Sequence, residues 1–350
     1  MTKTAQIAVD AMGGDGAPAT VINGANLAAT RHAGPRFTFF GDRDAIEPLL
    51  GQAKALAGRA DIVHTETVIS GEAKPATALR RGRKSSMGLA IRAVADGTAD
   101  AVISAGNTGA LMAMAKFSLR MLPGIHRPAI TGVFPSRRGP VTVLDLGANI
   151  ECSASNLVEF AAMGAVFAQT VLGRANPTVG ILDVGKGVPE DRVEVREAAA
   201  ILRKVDSHFV FHGLVAGDDI LAGTTDVVVT DGFTGNITLK TAEGTLRMQT
   251  EYLRRVLSGS WAGRLGYGLA RPALRALREK IDPRRYNGAM FLGLNGTVVK
   301  SHGGTDAFGF ATAMEVAIDM VEGSVNQRII EELEQVHRNR APDREPALAK

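Results

Sequence analysis

Eight short apolar runs of four to seven residues recur along the chain: "QIAVDA" (6–11), "FTFF" (37–40), "DIVH" (61–64), "DAVIS" (100–104), "VTVLD" (141–145), "VGILD" (179–183), "HFVFHG" (208–213) and "DVVVTDG" (226–232). Continuously apolar, β-branched runs suit strands covered on both faces. Helical lengths such as 155–174 and 190–204 lie between most of them. This alternation defines an α/β chain with a mainly parallel sheet and helices on both faces. The 350 residues leave room for one large domain or two modest ones. No repeat, long linker or sharp boundary divides them, so 1–340 reads as a single domain and 341–350 as a frayed, polar tail. The one compositional break is 252–278, where 27 residues hold six arginines and no acid.

Glycine and small polar residues gather where the strands should end. "DAMGGDG" (10–16), "SAGNTGA" (104–110), "DLGANIE" (145–151), "DGFTGN" (231–236) and "LNGTVVKSHGGTD" (294–306) are such clusters. Ligands of open α/β sheets bind at the carboxyl ends of strands, so five clusters on one edge would build one pocket. A helix starting near Asn107 would offer unpaired N–H groups and a positive dipole end to an anion. The glycines would let the anion approach the backbone. Ordinary Asn capping of a helix beside a turn glycine explains the same residues.

Other chemistry finds little support. A net charge of +4 does not announce nucleic acid, and no recognition motif for it is present. "GGDG" (13–16) is not a dinucleotide fingerprint, and no P-loop occurs. The seven histidines show no H-E-x-x-H and Cys152 has no metal-spaced partner, so no metal is expected. One cysteine permits no internal disulfide, which fits a reducing, cytoplasmic setting. Residues 1–10 lack the apolar core of a signal peptide, and no run approaches the roughly 18 apolar residues of a membrane span. No G-x-S-x-G elbow offers a nucleophile, and Cys152 reads as a small buried cysteine.

Two basic segments stand out. "RRGRKSS" (80–86) is a solvated helix face or a docking site. "WAGRLGYGLARPALRALR" (261–278) places Trp261, Leu265, Leu269 and Ala276 on one side of a helix and most of its arginines elsewhere. Such a segment suits an anionic membrane surface, or packing at a dimer interface. Pro272 and three glycines suggest that it is mobile or broken.

The motifs "VDAMGGD", "SAGNTGALM", "RPAI", "LDLGAN", "DGFTGNITLKTAEG" and "YNGAMFLGLNGTVVKSHG", in this order, resemble those of the bacterial phosphate acyltransferases, over about residues 5–330. The resemblance implies a three-layer α/β/α fold related to phosphotransacetylases and to isocitrate and isopropylmalate dehydrogenases. It implies transfer of a fatty acyl group from acyl-carrier protein to inorganic phosphate, giving acyl-phosphate for phospholipid synthesis. It further implies a homodimer without metal or nucleotide cofactor, attached to the cytoplasmic face of the membrane. The product would pass to a membrane glycerol-3-phosphate acyltransferase. The chain departs from the family at Gly16-Ala17, where Phe-Gly is frequent, and at "GKGVPED" (185–191), where Lys186 and Gly187 stand in place of acids.

With that chemistry, the clusters suggest roles. Asn107, Thr108 and Gly109 would bind phosphate at a helix start, with Asp10, Gly13, Gly14, Asp15 and Asn149 shaping the pocket edge. Lys300 would supply positive charge, and His302 a hydrogen bond or the proton for the leaving thiolate. Asn236 and Lys240 would add donors for the oxyanion or phosphate. Arg80, Arg81, Arg83 and Lys84, or Arg254 and Arg255, would dock the acidic carrier protein. Trp261, Leu265 and Leu269 would touch the membrane. The competing readings are a nicotinamide-dependent dehydrogenase on a similar sheet, a non-catalytic membrane-surface scaffold, and acyl transfer from coenzyme A.

Overall fold

A computed structural model describes residues 4–184 and 192–338. "GKGVPED" and the tail 341–350 therefore lie outside the described residues. The strands are β1 Gln6–Asp10, β2 Arg36–Gly41, β3 Ala60–His64, β4 Ala101–Ser104, β5 Ala129–Ser136 and β6 Gly139–Leu144. They continue with β7 Thr178–Leu182, β8 Val210–Val215, β9 Val227–Val229, β10 Ala289–Leu292 and β11 Thr297–Lys300. The helices are α1 Ala19–Arg31, α2 Arg43–Leu50, α3 Pro75–Arg81, α4 Ser86–Ala95, α5 Thr108–Leu119 and α6 Ala154–Thr170. After them come α7 Val193–Leu202, α8 Gly217–Ala222, α9 Gly232–Ser258, α10 Trp261–Ile281, α11 Ala307–Glu322 and α12 Val325–Arg338.

The strands form one sheet in the order β3-β2-β1-β4-β11-β10-β5-β6-β9-β7-β8. Seven of its ten pairings are parallel. Alternate residues of a strand face opposite sides. Ile7 and Val9 of β1 join Val21, Ile22, Phe310 and Met314 from α1 and α11, while Ala8 joins Met87, Ile91 and Leu111 from α4 and α5. A third cluster, with Val143, Leu182, Val228 and Ile220, covers the second face on the β6–β9–β7 side. The result is the three-layer α/β/α arrangement. All eight apolar runs are strands, with ends shifted by at most three residues.

The three strands not foreseen, β5, β10 and β11, occupy the middle of the sheet. β10 is antiparallel to β11 and to β5, and β5 is antiparallel to β6. Three reversals in succession turn β6, β9, β7 and β8 against β1, β2, β3, β4 and β11. The expectation of five clusters on one strand edge is therefore corrected. The carboxyl ends of β1, β4 and β11 point one way, and those of β6 and β9 the other. The segment expected to be mobile or broken is not broken: α10 runs as one helix through Pro272.

Candidate active site

The loops after β1, β4 and β11 interlock. Asp10, ending β1, is buried and accepts a hydrogen bond from Ser104 Oγ at 2.6 Å. Ser104 Oγ in turn accepts from the Gly106 N–H at 3.0 Å. Burial pushes the Asp10 carboxyl above the ordinary range, against the opposing hydrogen bond from Ser104. A side chain at Gly13 would lie 2.6 Å from the Gly106 nitrogen and 2.7 Å from Asp10 Oδ2, so only glycine lets these loops meet. Gly14 sits at φ +98°, in the left-handed region that glycine enters without strain. Asp15 is exposed, and its N–H donates to Gly303 O at 2.9 Å.

Asn107 caps α5: its Oδ1 accepts from Ala110 N at 2.8 Å. Its Nδ2 donates to Gly71 O at 2.6 Å and to Ala73 O at 3.2 Å. The amide is thus committed to capping and to holding the 71–73 loop, and it does not offer the anion the extra donors assigned to it. The backbone N–H groups of Thr108 and Gly109 have no acceptor within the helix, and the exposed Thr108 hydroxyl makes none of the described hydrogen bonds.

Lys300 ends β11, buried beneath these loops. Its Nζ donates to Ala105 O at 3.3 Å and to Ser301 O, leaving one N–H unused. Burial lowers its pKa to about 8, against the pull of Asp10 and Asp15. His302 is exposed, and its Nδ1 accepts from Gly304 N at 3.1 Å. The neutral ring therefore carries its proton on Nε2. Asn287, which the sequence did not single out, holds this corner. Its Oδ1 accepts from His302 N at 3.0 Å, and its Nδ2 donates to Ser301 Oγ at 2.9 Å and Gly309 O at 2.7 Å.

The loops after β6 and β9 form a second group. Asp145 accepts from Ile130, Gly147 and Ala148 N–H on Oδ1, and from the Asn149 backbone and side chain on Oδ2, all within 2.7–3.2 Å. Asn149 is buried, and its Nδ2 also reaches Pro128 O at 2.7 Å. Gly232 N donates to Asn149 O at 2.7 Å, which locks the α9 start onto this loop. Asp231 caps α9 and pairs with Arg192 Nη2 at 2.8 Å. Asn236 is exposed, beside Gly147. Lys240 is exposed one turn further on, where its Nζ meets Glu243 Oε2 at 2.9 Å. The described hydrogen bonds and ion pairs do not join Asn149, Asn236 or Lys240 to the Lys300 group.

Cys152 lies near Asp145, and its thiol is pushed up to about 12, by burial first and then by that charge. A thiolate at pH 8 is then a fraction on the order of one in ten thousand. Cys152→Ala is expected to keep turnover within twofold of wild type. A loss beyond about tenfold, or a stable acyl-cysteine adduct by mass spectrometry, would implicate the thiol.

Among the described residues, no group of three or more His, Cys, Asp or Glu could hold a metal ion, and no helix is long and apolar enough to cross a membrane. A cavity lined by Arg174, His208, Arg328 and Glu332 shares no residue with either loop group.

The fold is that of the phosphotransacylases. A phosphotransacetylase from Streptococcus pyogenes superposes with a TM-score of 0.60 at 16% identity, over 91% of this chain and 94% of its own. A branched-chain phosphotransacylase from Enterococcus faecalis gives 0.57 at 14% identity, over 91% and 99%. A family model described as "Fatty acid synthesis protein" matches residues 5–328. The phosphate acyltransferase of Rhodospirillum centenum is 56% identical over 327 residues, covering 93% of this chain and 92% of that one. That of Paramagnetospirillum magneticum is 53% identical over 338 residues, 96% of each. The chain belongs to the phosphate acyltransferase family, and is an acyltransferase of fatty acid and lipid synthesis.

Proposed function

We propose that this protein transfers a fatty acyl group from the thioester of acyl-carrier protein to inorganic phosphate, giving acyl-phosphate and free carrier thiol. The observation that carries the reading is the convergence of a buried cation, Lys300, and the open first turn of α5 on the same interlocked loops. A phosphate oxygen attacks the thioester carbonyl carbon, the new C–O bond forms, the C–S bond breaks, and the thiolate takes a proton. Phosphate near neutral pH already carries the charge it needs as a nucleophile. Holding and aligning it is the larger task, and alignment can contribute roughly 7–11 kcal/mol.

The Thr108 and Gly109 N–H groups, the Thr108 hydroxyl and the Lys300 charge hold the phosphate. The Asp10–Ser104–Gly106 chain fixes the loop beside it. His302 donates a hydrogen bond to the leaving sulfur from Nε2–H, the nitrogen left free by the bond from Gly304, and the thiolate takes its proton from water. Asn236 stands with the second loop group, on the opposite strand edge, and takes no part in this step. Lys240, paired with Glu243, is not given a part. The test compares palmitoyl-carrier protein with palmitoyl-coenzyme A as donors, with phosphate present and hydroxylamine as the trap for acyl-phosphate. A higher kcat/KM with the carrier protein supports the reading. Preference for coenzyme A assigns the donor differently.

The same reading places the protein as a homodimer on the inner membrane surface, handing acyl-phosphate to a membrane glycerol-3-phosphate acyltransferase. Trp261 and Leu269 of α10 are 80% and 79% exposed, and Leu265 is exposed with them. Each contributes up to about 1.5–3 kcal/mol if fully buried, and less at an interface. Replacing all three with serine is expected to release the protein from anionic vesicles in sedimentation, with activity on soluble carrier protein retained. If the variant stays bound but elutes as a monomer, the helix is a subunit interface.

A further inference from the structure

The face built by α3, the turn after it and the outer side of α5 carries a positive charge that no ion pair among the described residues offsets. Residues 74–84 hold five basic residues and no acid. Lys74, Arg80, Arg81, Arg83 and Lys84 are exposed, as is Lys116 of α5. None of the ion pairs among the described residues involves any of these six, and Glu66 and Glu72 in the preceding loop pair with none of them. Some arginines elsewhere are matched: Arg31 to Glu315, Arg174 to Asp226, Arg284 to Asp282 and Asp306.

An apolar side chain stands among these cations. Phe117 of α5 is 60% exposed, with the Arg83 guanidinium 5.8 Å from its ring centre. The face is also tied to the loop that starts α5. Asn107 Nδ2 holds the carbonyls of Gly71 and Ala73, just ahead of α3, and a side chain at Gly109 would lie 3.0 Å from Pro75 Cγ. A partner seated here is therefore next to the proposed phosphate site.

We propose that this α3–α5 face docks the acidic carrier protein, its carboxylates meeting Arg80, Arg81, Arg83 and Lys84 and its apolar contact covering Phe117. The proposal rests on the reading of acyl-carrier protein as donor. Uncompensated charge of one sign steers an oppositely charged partner and sets its orientation. The other candidate, Arg254 and Arg255, lies near the far end of α9, a helix that starts from the loop group on the opposite strand edge. Arg255 also has Glu251 4.0 Å away. A nucleic acid would use the same charge, but it would have no reason to sit beside an acyl-transfer loop.

The experiment is steady-state kinetics on palmitoyl-carrier protein at low and high salt. The triple variant Arg80→Glu, Arg81→Glu, Arg83→Glu is expected to raise the apparent KM for carrier protein by about tenfold or more. Its kcat, its KM for phosphate and its melting temperature should stay near wild type. Added salt should raise the wild-type KM and leave that of the variant nearly flat. Phe117→Ala, which leaves the charges in place, should raise the same KM several-fold and serves if the triple variant folds poorly. Arg254→Glu with Arg255→Glu should change little. A KM within twofold of wild type in both the triple variant and Phe117→Ala overturns the docking face while leaving the donor reading intact. So does a rise confined to the α9 pair, or a duplex DNA probe whose tight binding is lost in the triple variant while its carrier-protein KM is unchanged. Wild-type protein that turns over palmitoyl-coenzyme A but not palmitoyl-carrier protein removes the donor reading itself.

Discussion

Lys300→Met is expected to lower turnover by more than about tenfold, toward the hundredfold seen when one charge-stabilising group is removed from an acyl-transfer site. Methionine keeps the length of the stem and removes only the ammonium. The effect should also depend on pH in a defined direction. Lys300 is a cation below its lowered pKa of about 8 and loses that charge as pH rises through it. Wild-type kcat/KM for phosphate should therefore fall above pH 8, and the residual activity of the Met variant should lack that descending limb. Stability should move differently. A lysine whose folded pKa lies below its unfolded value is disfavoured as a cation in the folded state, so between the two pKa values stability rises with pH. The variant should thus melt no lower than wild type at pH 7. A well-folded variant with normal phosphate kinetics and an unchanged alkaline limb would remove Lys300 from the mechanism.

The largest expected stability effect belongs to Asp145. Five N–H groups converge on its two oxygens, and the residue is fully buried. Asp145→Ala leaves those donors without an acceptor, each unmet group costing about 1–3 kcal/mol where water cannot replace it. Relaxation recovers part of this, so a loss of about 4 kcal/mol is expected, a large share of the roughly 5–15 kcal/mol that typically holds a domain folded. Asp145→Asn keeps one acceptor oxygen and should fall between. Gly235→Ala should be comparably damaging, because its Cβ would overlap the Asp145 carbonyl oxygen. Urea denaturation monitored by circular dichroism measures all three. A change below about 1 kcal/mol for Asp145→Ala would mean that the loop is held by other contacts.

Much of the fold was legible because parallel strands buried on both faces leave a plain sequence signature. The middle of the sheet was not. β10 and β11 are four residues each, joined through Gly293, Asn295 and Gly296, and β5 carries Pro135 and alternates between buried and half-buried positions. β5 and β11 are interrupted or bounded by polar residues or glycine, β10 is a four-residue apolar run between glycines, and together the three set the direction of everything beyond them. Missing them turned two groups of loops into one imagined edge. Within the site, Lys300, His302, Asp10 and the glycines at 13 and 14 were visible as polar residues at strand ends. Asn107 was visible too, but its amide turned out to be occupied by the cap and the 71–73 loop. Asp145 and Asn287 were not singled out, because each acts on groups brought in from distant segments. The paired positions of Asp145 and Asn149 in "DLGAN" were the available hint. Lys240 sits near a motif, and the structure places its Nζ beside Glu243, three residues along its own helix.

The reaction itself can be tested in one measurement. Palmitoyl-carrier protein is mixed with the enzyme, [18O4]phosphate is added later, and thiol release is followed while the acyl product is analysed by mass spectrometry. Direct attack requires no stoichiometric thiol release before phosphate arrives. It then requires one thiol per acyl-phosphate formed, with all four labelled oxygens in the product. A burst of thiol and an acylated protein in the absence of phosphate, or no acyl-phosphate after it is added, would contradict it.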